Sequence, residues 1–173
     1  MVHASLTRGV GEPILPDLRT LPPTSLSLNR ERMSDGSNHY LLRFDNTVVN
    51  WGGPLDIVDD LNRSRDLTQN VYDAFNNGSV VSSVKVASDH IYYPSHNHFH
   101  FQVFATYLLL KKESNGAYQP TTRVGTKTSF CIVDTIRVTT LGSGASTHRT
   151  CTSAKQGLLA GWADIYSANT LEQ

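Results

Sequence analysis

No stretch of this chain stays apolar for the ~18–20 residues that a membrane-spanning helix requires. Charge of either sign is not in surplus: Lys plus Arg and Asp plus Glu come to 15 each over 173 residues. That balance leaves no positive field to hold nucleic acid or an anionic membrane surface. Charged residues are sparse at 17%, but with 39% apolar residues the chain is neither disordered nor fibrous. Its length suits one domain that buries a core of its own. The first eight residues carry no apolar run of the kind a secretory signal has, as in any mature or incomplete chain. Cysteine is reduced to Cys131 and Cys151. No Cys-x-x-Cys pair occurs, which excludes a zinc ribbon and a dithiol redox motif. At this point two thiols and one disulfide remain equally open. A disulfide would stabilise by roughly 3 kcal/mol in the chain-entropy model and would call for an oxidising compartment.

A sustained apolar stripe of helical period is also missing. What the sequence has instead is short β-branched and aromatic runs punctuated by turn residues. Residues 1–25 hold Pro13, Pro16, Pro22 and Pro23 and read as an extended lead-in with an edge strand at most. Residues 26–173 form the domain proper. His39–Asn50 reads as a strand that ends at Gly52-Gly53-Pro54, with further strands at Leu55–Val58, Val80–Val86, His98–Leu110, Thr128–Val133 and Ile136–Thr140. Leu67–Phe75 suits a helical turn or a strand. The expected class is all-β, a β-sandwich with long loops and little helix. Asn62-Arg63-Ser64 and Asn77-Gly78-Ser79 fit the glycosylation pattern, which only a eukaryotic secretory host would use.

The most informative run is His96-Asn97-His98-Phe99-His100, which holds three of the seven histidines. Alternate side chains of a strand share a face, so three imidazoles at i, i+2 and i+4 can point the same way. A flat strand would spread the first and third by about 13 Å, too far for one ion, so the run must bend. Pro94-Ser95 is the natural place. Three nitrogen ligands without a nearby cysteine suit Cu(II) or a catalytic zinc site. Three surface histidines on a polar strand face are the bland alternative.

The stretch Tyr93-Pro94-Ser95-His96-Asn97-His98-Phe99-His100 through Leu108-Leu109-Leu110 resembles the copper-binding segment of the lysyl oxidases, where a Cys-His-x-His-Tyr-His run is followed by a Phe, a Tyr and a Leu-Leu pair. Lys127-Thr128-Ser129-Phe130-Cys131-Ile132-Val133-Asp134-Thr135 is similar to that family's Lys-Ala-Ser-Phe-Cys-Leu-Glu-Asp-Thr. Gln156-Gly157 followed by Gly161-Trp162-Ala163-Asp164-Ile165-Tyr166 resembles its third motif. Leu42–Asn50 with Gly53-Pro54-Leu55 looks like the microbial members.

The resemblance implies a secreted, copper-dependent amine oxidase. Such an enzyme converts primary amines, peptidyl lysine or small amines, to aldehydes, with release of ammonia and hydrogen peroxide. It implies His96, His98 and His100 as copper ligands. It implies Lys127 and Tyr166 as the precursors of lysine tyrosylquinone, the protein-derived cofactor and catalytic group, and Cys131 and Cys151 as a disulfide. Primary amine and molecular oxygen are the implied partners. Asp134 and His148 are acid–base candidates between which the sequence does not choose. Ser95 replaces the family cysteine before the first histidine, and Val133 replaces an acidic residue. Family members continue beyond the position of Gln173 with further strands, so the resemblance also implies that C-terminal strands are missing from this chain. The competing readings are a non-catalytic copper- or zinc-binding sandwich and, more remotely, a zinc hydrolase using the same histidines.

Overall fold

The computed structural model describes residues 12–59, 67–73, 78–86, 88–95, 97–125, 128–138, 145–151 and 155–169. Among them the chain forms fourteen strands and no helix, so the all-β class holds. The first sheet joins β1 (Pro13–Ile14), β5 (Leu55–Asp59), β6 (Leu67–Asp73), β7 (Val80–Lys85) and β13 (Lys155–Leu158). The second joins β2 (Leu18–Thr20), β3 (Thr24–Arg32), β4 (Asn38–Asn50), β12 (Ile136–Arg137) and β14 (Trp162–Tyr166). Two hairpins stand apart, β8 (His90–Tyr93) with β9 (His98–Phe101) and β10 (Leu108–Lys112) with β11 (Tyr118–Val124). Every pairing is antiparallel.

One apolar core joins these parts. Val48 comes from β4, Leu55 and Ile57 from β5, Leu67 from β6, Phe101 from β9, and Leu158 from β13. Ile132 adds an irregular segment, and Val86, Phe104 and Trp162 close the edges. The inward faces alternate as the pleat requires.

The sequence expectation differs from the structure in several places. The lead-in, expected to hold an edge strand at most, carries β1, β2 and the start of β3, because its prolines leave short runs between them free to pair with β6 and β4. The apolar run from His98 to Leu110 is two strands separated by Gln102–Tyr107, and Val103 there takes a φ of 52°. A β-branched residue in that region cannot continue a strand, so the ladder stops. Thr128–Val133 is irregular backbone with a single bridge, Phe130 to Phe101. Leu67–Phe75 resolves as strand in its described part, β6.

The corner between β4 and β5 fixes the lead-in. A Cβ at Gly52 would sit 2.4 Å from the Leu15 carbonyl oxygen and 2.5 Å from the Asp17 nitrogen, so only glycine lets that backbone approach. Asn50, fully buried beside it, uses its whole amide. Its Nδ2 donates to Gly53 O at 2.7 Å and Leu158 O at 2.8 Å. Its Oδ1 accepts from Asp17 N at 3.1 Å and Gly52 N at 3.0 Å. Asn50→Ala strands four backbone groups, and a buried unpartnered group costs about 1–3 kcal/mol. The expected loss is roughly 2–4 kcal/mol, since water reaches some of them. Urea denaturation measures it, and a loss under about 0.5 kcal/mol would contradict this account of the corner.

Candidate active site

The β8–β9 hairpin carries the histidines. Its turn falls at Pro94-Ser95, and Asn97 takes a φ of 55°, a left-handed conformation asparagine tolerates. The register pairs Tyr93 with His98 and Ile91 with His100. His98 and His100 therefore share one face, and their Nε2 atoms converge to 2.8 Å. On the same face the Tyr93 ring lies 4.5 Å from the His100 ring. His100 is fully buried, and its Nδ1 meets Ser129 Oγ at 3.3 Å. In the tautomer that donates from Nδ1 to that hydroxyl, the His100 Nε2 lone pair faces His98. An outer hydrogen bond of this kind is what fixes the tautomer of metal-binding histidines. His96 lies outside the described residues.

The other face of the hairpin carries a histidine that sequence reasoning passed over. His90 stacks on Phe99 at 5.4 Å and approaches Asp59 Oδ2 at 3.5 Å with its Nδ1, both side chains buried. Phe99 sits between His98 and His100 in sequence, so the His90–Asp59 pair braces the strand from behind. His39 lies on the exposed start of β4.

Tyr166 is the last residue of β14, paired in register with Asn46 of β4. Its hydroxyl donates to the Cys131 carbonyl, and its ring packs edge-on against Phe130 at 4.6 Å. Ser129 and Phe130 are consecutive, so one short segment touches both His100 and Tyr166. Burial, then the charge of Asp164, pushes the Tyr166 phenol far above its ordinary value and keeps it neutral. Lys127 lies outside the described residues. Its neighbour Thr128 is pinned where Phe104 N donates to its carbonyl at 2.8 Å.

Cys131 and Cys151 form a disulfide with Cα atoms 5.5 Å apart. The two arms it joins also hold the histidine strand. Phe99 N donates to Cys151 O at 3.0 Å, and Phe101 and Phe130 exchange backbone bonds at 2.7 and 3.0 Å. Buried Gln156 completes the tie, donating to Phe99 O at 2.9 Å while accepting from Ile132 N at 3.0 Å.

The two acid–base candidates meet in a buried network. His148 Nε2 lies 3.1 Å from Asp56 Oδ1, and its Nδ1 lies 3.7 Å from Asp134 Oδ2. Asp56 also accepts from Tyr72, from Asn70 at 3.1 Å and from Lys155 at 3.0 Å. Asp134 accepts from Leu159 N at 2.8 Å and from Thr147 N and His148 N at 3.1 Å each. Burial alone would raise the Asp56 carboxyl, but its hydrogen bonds hold it well below the usual carboxylate range. Asp134 is held low in the same way. Burial pulls His148 down, yet hydrogen bonds to Asp134 and Asp56 raise it above ordinary imidazole. The result is an imidazole held between two carboxylates that favour its protonated form. A Cβ at Gly157 would fall 2.0 Å from Leu55 O and 2.9 Å from His148 Nε2, so glycine is required where β13 passes the network.

Because the folded-state pKa of His148 is raised, its stabilisation is full below the free imidazole value of about 6.5. It is lost as pH rises through the folded value. His148→Gln should therefore cost about 3–5 kcal/mol at pH 6, because two buried carboxylates lose their cation. The cost should shrink toward pH 9. Denaturation of both proteins across that range tests the sign; a cost that grows with pH would refute it.

Among the described residues no group of three or more His, Cys, Asp or Glu is placed to hold a metal ion. The two Nε2 atoms 2.8 Å apart are within hydrogen-bond distance, and the same spacing is compatible with adjacent ligands on one ion with bonds of about 2.0 Å. No helix of the described residues is long and apolar enough to cross a membrane. No curated protein and no solved structure matches the chain. The family model for lysyl oxidase matches residues 58–173, a span that takes in the histidine run, Lys127, both cysteines and Tyr166. On that match the chain belongs to the lysyl oxidase family.

Proposed function

We propose that the chain is a copper-dependent amine oxidase whose cofactor, lysine tyrosylquinone, derives from Lys127 and Tyr166. His96, His98 and His100 are its copper ligands. The observation that carries this reading is the convergence of the His98 and His100 Nε2 atoms, with one short segment linking His100 to Tyr166. Family membership supports the reaction class, since lysyl oxidases are known for copper and this quinone. In the net reaction one primary amine, one dioxygen and one water give one aldehyde, one ammonia and one hydrogen peroxide. Copper would supply dioxygen activation, and the quinone an electrophilic carbonyl and electron sink.

The chain's own residues set the conditions. Ser129 can accept from His100 Nδ1, the tautomer in which Nε2 offers a lone pair. The Cys131 carbonyl and the Phe130 ring hold the Tyr166 ring in one orientation, which a reaction at a ring carbon needs. Lys127 must react as the neutral amine, which desolvation or a nearby cation favours over its free pKa of about 10.4. The disulfide and the family together support secretion into an oxidising compartment. The substrate is a primary amine, either peptidyl lysine or a small amine.

Two sets of variants test the reading. His98→Ala and His100→Ala should each cut copper stoichiometry sharply, while His39→Ala leaves it unchanged. Lys127→Arg and Tyr166→Phe should keep copper yet abolish both amine oxidation and the cross-linked Lys127–Tyr166 peptide seen by mass spectrometry in copper-loaded, aerated protein. Phenylhydrazine should give a coloured adduct with the wild type alone. Copper-bound protein with separate peptides and no adduct would leave a non-catalytic metal-binding protein in its place.

A further inference from the structure

We propose that Asp164 is the base that removes the proton from the amine-bearing carbon of the substrate, an inference that rests on the amine oxidase reading above. Asp164 stands two residues before Tyr166 on β14, so the two side chains leave the same face of the strand. Its carboxyl is 2% exposed. Oδ1 accepts from Thr135 Oγ1 at 3.1 Å, which fixes the plane of the group. Oδ2 is buried with no hydrogen-bond partner among the described residues. A buried carboxylate oxygen without a hydrogen bond, two residues from Tyr166 on one strand face, is an acceptor still open to a further donor. The charge of Asp164 is felt by two phenols, Tyr166 on its own strand and Tyr107 from the segment before β10. Tyr107 is pushed up to about 12 by burial and then by that charge.

The other acidic and basic groups nearby are already committed. Both oxygens of Asp134 hold backbone donors, and Asp56 holds His148, Tyr72, Asn70 and Lys155. Both nitrogens of His148 face those carboxylates. Each oxygen or nitrogen of the three already holds a partner in that network, and a general base needs an acceptor within hydrogen-bond reach of the substrate. Electrostatics supports the same choice. Burial lifts the Asp164 carboxyl to about 7, with Asp134 adding to the rise against hydrogen bonds from Thr135 and the backbone of Val133 and Ile165. A base near neutrality accepts a proton at working pH and gives it up again.

The step balances. The C–H bond on the amine-bearing carbon breaks, its proton passes to Asp164 Oδ2, and its electron pair would pass to the quinone, to which the amine would be joined. Water would supply the aldehyde oxygen as ammonia leaves, and dioxygen would take the two electrons and two protons as hydrogen peroxide. Asp164 then loses its proton to water.

The test uses the copper-loaded, aerated chain. Asp164→Asn should retain copper, the Lys127–Tyr166 cross-link and the phenylhydrazine adduct, while kcat falls at least about 100-fold. In the metal-free protein the same variant should lower the Tyr166 titration followed by tyrosinate absorbance, because a neighbouring negative charge is gone. Thr135→Val removes a hydrogen bond that favours the carboxylate, so the rising limb of the kcat/KM profile should move to higher pH. This second variant keeps the proposal testable if the first fails to fold. Retained turnover in D164N, or a limb unmoved in T135V, overturns the base assignment while the adduct leaves the oxidase reading standing. A wild type without adduct removes the oxidase reading itself, and the proposal with it.

Discussion

The frame around the site depends on one buried network. His148, whose protonated form both partners favour, bridges Asp56 on β5 and Asp134 beyond the disulfide, two residues with little other reason to lie close. Without the cation, two desolvated carboxylates would face each other, an arrangement that costs several kcal/mol. With it, the irregular segment 131–135 is anchored to the first sheet, and the arm that leads to Cys151 is anchored with it. Lys155 adds a second positive group at the edge of β13, where the cluster meets water. The disulfide then closes a geometry that the network already holds.

That frame positions the histidine hairpin, which has no sheet neighbour beyond its own two strands. It is held instead by backbone bonds to Cys151 and Phe130, by Gln156, and by His90 against Asp59 on its far face. Each tie ends on an element that the His148 network or the disulfide fixes. Tyr166 reaches the same segment from the second sheet, through the Cys131 carbonyl. The histidine pair and Tyr166 thus come from different parts of the fold and share residues 129–131 as their common rest.

Much of this was legible in the sequence, for reasons that differ by residue. The shared face of His98 and His100 follows from the period of two in any strand. The bend at Pro94-Ser95 was readable because proline and the need for convergence point to one place. Pairing Lys127 with Tyr166, or Cys131 with Cys151, came only from ordered family motifs. His148 and Asp56 lie 92 positions apart, and no local pattern announces a long-range ion pair. The break after Phe101 was hidden because Phe101–Leu110 is almost continuously apolar, and Pro120 with its polar neighbours concealed β11 as an edge strand.

The acidic residues show why site chemistry is harder to read than fold. Asp56, Asp134 and Asp164 are the same side chain, all buried to similar degree. Near His148 and Lys155, hydrogen bonds and positive charge outweigh desolvation, and the first two remain ionised. Asp164 has only the Thr135 hydroxyl and backbone donors, with Asp134 adding repulsion, and desolvation prevails. The carboxylates held low and the one held high therefore differ in this fold by their contact with His148, which Asp164 lacks. Tyr166 lies on the Asp164 side of that divide. Burial and the charge of Asp164 keep its phenol neutral, whereas the carboxylates at His148 stay ionised within a saturated network.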